Sequence, residues 1–287
     1  MNRLWYVVGV LLILAGLVHL GVFVLHGGGT PWEGPVSWRK PFTFGVSFGL
    51  SVLTLTWVSG FLAVRPRTRA VLLGAFALAS TVEVALITLQ AWRGVPSHFN
   101  MATAFDTAVA RSLAAGGAVL VAIGVTMAVA AFRAAPGVAP SMRLAVRAGF
   151  ATLLAAMAFG AVMIARGVVA VVTGDQQLAY TVATALKPAH AVFMHGVLLL
   201  PALAWLLARA LPAEEHRLRL VRLATWTYVG FATAVSALAV AGLTPVSPSI
   251  ASVICAGAVS GPALGALVLG RLRPRSLGRL RQRLPVS

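Results

Sequence analysis

The amino-acid sequence predicts an all-α polytopic membrane bundle of eight transmembrane helices. Of 287 residues, 59% are hydrophobic and 10% are charged, against about 25% charged in an ordinary soluble domain. The apolar residues fall in long continuous runs rather than in alternation, which favours helices over a barrel. The formal charge is +17, from 23 basic and 6 acidic residues. In a soluble chain that excess would suggest nucleic acid. In a membrane chain it reports which loops face the cytoplasm.

Runs of spanning length occupy residues 4–26, 42–64, 70–92, 108–132, 147–172, 188–210, 221–242 and 248–270. Each can cross about 30 Å of hydrocarbon at about 1.5 Å per residue. The first run is longer than a signal-peptide core, so it reads as a retained helix. Turn chemistry separates the runs, as in Arg65-Pro66-Arg67, Ala135-Pro136-Gly137 and Leu211-Pro212. The expected layout is a transmembrane domain over 1–270 and a basic cytoplasmic tail over 271–287. The single cysteine, Cys255, lies in an apolar run and reads as a small buried hydrophobe.

Eight spans place both termini on one side, and charge decides which. One side holds Arg3, Arg65, Arg67, Arg69, Arg133, Arg143, Arg147, Arg209, Arg217, Arg219, Arg222 and the tail arginines, 17 basic residues in all. The other holds Arg39, Lys40, Arg93, Arg111, Arg166 and Lys187. The expectation is a bacterial plasma-membrane protein with both termini inside. Its tail would lie on anionic inner-leaflet lipids, and no nucleic-acid partner is expected. Arginine outnumbers lysine 21 to 2, a bias that a GC-rich genome produces without function.

Both lysines precede a proline at the outer start of a span: Arg39-Lys40-Pro41 leads on to Trp57, and Leu186-Lys187-Pro188 to Trp205. A parallel four-plus-four duplication would make those two spans equivalent. The alternative is a pair of unrelated interfacial anchors.

The outer loops carry the distinctive residues. The first runs from His26 through Trp38 to Pro41, with Gly27-Gly28-Gly29, Trp32 and Glu33 inside it. The second runs from Gln90 through Trp92, Arg93, Ser97 and His98 to Asn100, with Asp106 following. The third includes Asp175, Lys187, His190 and His195. Loops of that composition look like a binding surface. Three stretches resemble a family of uncharacterised multi-span bacterial membrane proteins. They are Trp38-Arg39-Lys40-Pro41 with Phe44-Gly45 and Ser47; Glu83 with Gln90–Asn100 and Asp106; and His190, His195-Gly196 with Leu200-Pro201. The resemblance covers about a quarter of the chain. It implies membrane placement and gives those stretches importance, without an activity.

Counting from the span ends, His19, His195, Arg166 and Glu83 lie at a common depth of about 10 Å. His26, Gln90 and His190 form a shallower layer. Ionisable residues at such depths face the bundle interior and have partners. Glu83 and Arg166 are the candidate catalytic or proton-handling pair, or a structural ion pair. His19 and His195 are the candidate axial ligands of a haem b, with Gly16, Gly21 and Gly196 making room for it. The pocket would be completed by His26, Arg39, Lys40, Gln90, His98, Asn100, Lys187 and His190.

The leading expectation is an outward-facing pocket that binds haem b or quinone in a redox component. A transporter or solute-binding protein is the first alternative, with Glu83 coupling to protons and Arg39, Lys40 and Lys187 attracting a small anionic ligand. A lipid hydrolase holding zinc at His19, His195 and Glu83 is the second, although no HExxH pattern supports it. A non-catalytic assembly subunit is the third. Ser97 beside His98 is a weaker nucleophile pair. The glycines Gly116-Gly117, Gly257, Gly261 and Gly265 read as helix-packing positions.

Overall fold

A computed structural model describes residues 2–26, 32, 34–133, 135–182, 184–243 and 257. Among them the chain is entirely helix and turn. Helix α1 runs Asn2–Leu25, α2 Arg39–Val58 with a 3-10 turn to Phe61, and α3 Pro66–Trp92. Next come α4 Ala104–Phe132, α5 Pro140–Val172 and the short α6 Gln176–Thr181. The series closes with α7 Lys187–Met194, α8 Gly196–Ala210 and α9 Glu214–Val240. Seven helical segments among the described residues are long and apolar enough to span a membrane, α6 to α8 together counting as one. The chain is a multi-pass membrane protein. The eighth expected span, Cys255 and the basic tail lie outside the described residues, except for Gly257.

Local chemistry sets the boundaries. Pro66 and Pro140 open α3 and α5, where a missing N–H costs nothing. Thr103 caps α4 by accepting the Asp106 N–H at 3.1 Å, and Asp175 caps α6 by accepting the Leu178 N–H at 2.9 Å. Gly94 ends α3 at φ +68°, a conformation that side chains resist. At the opposite end, arginines meet the carbonyls that helix C-termini leave free. Arg147 donates to Ala131 O at 3.2 Å, and Arg217 to Leu211 O at 3.3 Å. Some of the arginines that sort topology therefore also finish helices.

The sixth expected span is interrupted. His195 stands between α7 and α8, and Pro201 sits inside α8. Two side chains engage carbonyls beside the interruption. The His195 ring donates to Ala191 O at 2.6 Å, and the buried Tyr228 hydroxyl of α9 donates to Val192 O.

Glycine contacts draw α1 onto α2. A Cβ on Gly16 would lie 2.8 Å from Phe42 O, and one on Gly45 would lie 2.7 Å from Gly16 Cα. Gly9 and Gly49 repeat the contact, two turns away along α1 and one along α2, and Gly149 of α5 does the same against Gly196 and Val197. These are the small-residue crossings of membrane helices. They replace part of the sequence expectation, since Gly117 has nothing within 4 Å. Substitution of Gly45 by Ala is expected to cost about 1–3 kcal/mol through overpacking. The same change at Gly21, which has open space around it, should leave the melting temperature in detergent unchanged.

Candidate functional site

The loop between α3 and α4 folds back over one end of the bundle. Its anchor is Asp106, which is 2% exposed. Asp106 accepts from Gln90 Nε2 at 2.9 Å, Arg93 Nη1 at 2.5 Å and Thr103 Oγ1 at 2.7 Å. Arg93 also donates to Gln90 Oε1. Gln90 is thus a brace between helices, not a free pocket residue. Asn100 is a brace as well. Its side chain donates to Pro96 O at 3.2 Å and accepts the Ala102 N–H at 3.1 Å. Phe99 holds φ 60°, and its ring occupies the place that a Cβ on Gly167 of α5 would need. Gln176 of α6 donates to Phe99 O. The loop is tied down at both ends and in the middle.

The histidines do not converge. His19 is 6% exposed, and both ring nitrogens are engaged. Nδ1 donates to Ala15 O at 2.7 Å, and Nε2 accepts the Trp92 indole N–H at 3.3 Å. Its ring stacks on Trp38 at 6.0 Å. His26 is exposed and donates to Val22 O at 2.8 Å. His190 donates to Ala156 O of α5 at 2.7 Å. Helix α1 packs on α2 and α3, whereas α7, which leads to His195, packs chiefly on α5 and α9. An axial haem ligand needs a free nitrogen, and His19 has none. Gly16 and Gly196, which were to make room for a macrocycle, are filled by Phe42 and Val46 backbone and by Thr152 and Tyr228 respectively. This geometry does not fit haem. Among the described residues no three His, Cys, Asp or Glu side chains are grouped to hold a metal ion, so the zinc arrangement of His19, His195 and Glu83 is not assembled either.

Arg166 lies exposed on α5 and makes no ion pair with Glu83. Lys40 of α2 is the charged group that acts on Glu83, without an ion pair between them among the described residues; the groups around Lys40 itself come from α2, α7 and the α3–α4 loop. The charges of Lys187, Arg39 and Glu83 all act on Lys40, and Lys40 acts on His98. Glu83 is 4% exposed, and its Oε2 has no hydrogen-bond partner. Its carboxylate lies over Gly116 of α4, with Oε1 3.0 Å from where a Cβ would stand. Any side chain at Gly116 would crowd the acid.

Beside Lys40 a narrow cleft, with room for about one water, is lined by Pro35, Val36, Ser37 and Lys40 with Ile87, Ala91, Val95 and Ser97. The loop before α2 and the loop between α3 and α4 border it. Its helices, however, are α2 and α3, with α1 and α5 contributing nothing to its wall. Sequence reasoning passed over Ser37 and gave Asp106 no role in the site. An acid in the first turn after a threonine is a capping signal, but its pairing with Gln90 and Arg93 exists only in the fold.

Ser97 and His98, though adjacent, are hydrogen-bonded at 3.0 Å. The His98 ring faces Phe44 and Phe99 rather than an orienting carboxylate, which leaves it without a catalytic third member. No family model, curated protein or solved structure matches the chain.

Burial, and secondarily the charge of Lys40, holds His98 well below the ordinary histidine pKa of 6.5. Its folded form is therefore neutral. Below pH 6.5 the unfolded chain binds the extra proton, so this stability is present above that pH and declines as pH falls. Melting temperature should drop on acidification, and His98→Gln should flatten the drop. An equal slope in both proteins would remove His98 as its source.

Proposed function

We propose that the protein is a proton-responsive membrane transporter for a small anion, open to the outer side of a bacterial plasma membrane. Both termini lie inside, and the basic tail rests on anionic lipid. The observation that carries the reading is the buried Glu83, one oxygen of which has no hydrogen-bond partner; Lys40, in the first turn of α2, is the cation whose charge reaches it. An isolated carboxylate is costly in such surroundings. Ionised, Glu83 holds the Lys40 ammonium. Protonated, it releases that ammonium to attract an anion from outside. Proton and anion are then favoured together.

The other groups near the pair are fixed. Asp106 is committed to Gln90, Arg93 and Thr103, and His19 to Ala15 and Trp92. Lys187 and Arg39 add positive charge beside Lys40. His98 adds none while neutral.

Two features support the four-plus-four reading. Lys40 and Lys187 open α2 and α7 and feel each other's charge. At the far end of α2 and near the end of α8, which follows α7 after the break at His195, the Trp57 and Trp205 rings meet edge to face at 6.5 Å. Equivalent helices meeting through equivalent residues is the arrangement a pseudo-two-fold axis produces. The interrupted α7–α8 segment also belongs to the repertoire of transporters, where broken helices line solute paths.

The test is phosphate uptake by the full chain reconstituted in liposomes, at acid and at alkaline external pH. Wild type should be faster at acid pH. Glu83→Gln should lose that dependence, and Lys40→Gln should lose uptake at both. A Glu83→Gln protein with the wild-type pH profile would overturn the proposal.

A further inference from the structure

Helix α2 carries a polar stripe that the proton reading does not use. Lys40, Thr43, Ser47, Ser51 and Thr54 follow one another at steps of three and four residues. At about 100° per residue they share an arc of about 80°, and they run about 21 Å along the helix. The opposite face, through Gly45 and Gly49, is the one that α1 covers. No acidic residue stands on α2.

A hydroxyl inside a helix commonly donates to the carbonyl one turn back. Thr56, Thr81, Thr126, Thr227 and Ser236 all do so. The hydroxyls of Thr43, Ser47, Ser51 and Thr54 make no hydrogen bond among the described residues. Burial rises along the stripe. Thr43 is exposed, and Ser47 and Ser51 are half-buried. Thr54 is 3% exposed, yet its unbonded hydroxyl is not sealed off. One turn further on, Val58 is fully buried and Trp57 meets Trp205. The face is open at the Lys40 end and closed at the Trp57 end. What closes it is the other half of the chain: α8 touches α2, and Lys187 of α7 acts on Lys40. Gly49 and Gly196 each stand nine residues after the lysine of a Lys-Pro pair, and each takes the backbone of a preceding span, at Gly9 and Gly149. In transporters built from repeats, the solute site lies where the repeats meet.

We infer that the face of α2 from Lys40 to Thr54 is one wall of the anion's route, and that it takes a small hydrated oxyanion such as inorganic phosphate. The inference rests on the proposed anion transport and says where the anion passes. Lysine charge at the open end, with no carboxylate on the helix, favours an anion over a cation. Hydroxyls can donate to oxyanion oxygens in place of water, and these recur about every 5 Å. Glu83 lies on α3, off this face, and acts on the mouth of the route through Lys40.

The experiment is cysteine accessibility in the full chain, with Cys255→Ala removing the natural thiol. Thr43→Cys, Ser47→Cys, Ser51→Cys and Leu53→Cys are each reconstituted in liposomes and treated with a negatively charged methanethiosulfonate. Leu53 packs toward Gly9 of α1 and serves as the covered control. The three stripe positions should react at least about tenfold faster than Leu53→Cys. Inorganic phosphate should slow them, and their modification should stop phosphate uptake. Ser47→Val should lower uptake about fivefold, and Ser47→Thr, which keeps the hydroxyl and guards against misfolding, should not. Ser47→Cys and Ser51→Cys reacting as slowly as Leu53→Cys would place the stripe against lipid and overturn the route while leaving the proton reading intact. Fast labelling that phosphate does not slow, with uptake unaffected, would make the face a water-filled crevice and overturn it as well. Labelling that phosphate slows, in a protein whose Glu83→Gln variant keeps the wild-type pH profile of uptake, would overturn the proton reading and leave the route standing.

Discussion

A carboxylic acid among apolar helices must be protonated, paired or reached by a cation, because the surrounding hydrocarbon offers it nothing. Under the proposed function Lys40, whose charge reaches Glu83 without an ion pair, is the cation that meets that constraint, and the helices at that end of the bundle set its distance. The glycine crossings of α1 on α2 bring the two backbones into contact. That contact helps to fix the height and rotation of α2, and so where Lys40 enters. On the far side Gly116 leaves α4 without a side chain opposite the carboxylate. The acid keeps its place without a hydrogen bond to one oxygen.

Around this pair the polar residues divide by role. Gln90, Arg93, Asp106 and Asn100 satisfy one another or nearby backbone and hold the second outer loop down. His19, Trp38 and Trp92 form a stacked and hydrogen-bonded cluster at the end of α1. Neither group has capacity to spare. Among the described residues the buried side-chain atoms without a hydrogen-bond partner are those of Ser37, Ser80 and Thr225 and one oxygen of Glu83. A group already satisfied resists rearrangement, whereas an unsatisfied buried one is stabilised by any ligand that completes it.

Much of the helical architecture was legible from apolar runs alone, since hydrocarbon thickness dictates run length. Helices α2 to α5 and α9 begin three to seven residues before the apolar runs do, because polar and proline residues complete their first turns. The interruption at His195 was not legible. Periodicity continues across it, and the Tyr228 bond to Val192 comes from a distant helix. Glu83 and Lys40 could be singled out as charges where charges are expensive. Arg166 met the same criterion and lies on an exposed face, because depth in a span says nothing about rotation around it. Grouping His19 with His195 failed similarly: equal depth does not imply adjacent helices. Ser37 gave no signal, since a lone serine in a loop becomes informative only once it is buried without a partner.

In the proposed cycle the anion and the proton meet through Lys40. The direct measurement is proton uptake by weakly buffered protein when phosphate is added, followed with a pH indicator. Wild type should take up a proton with the anion, and Glu83→Gln should bind phosphate without doing so. Equal uptake in the two proteins would place the proton elsewhere and contradict the account.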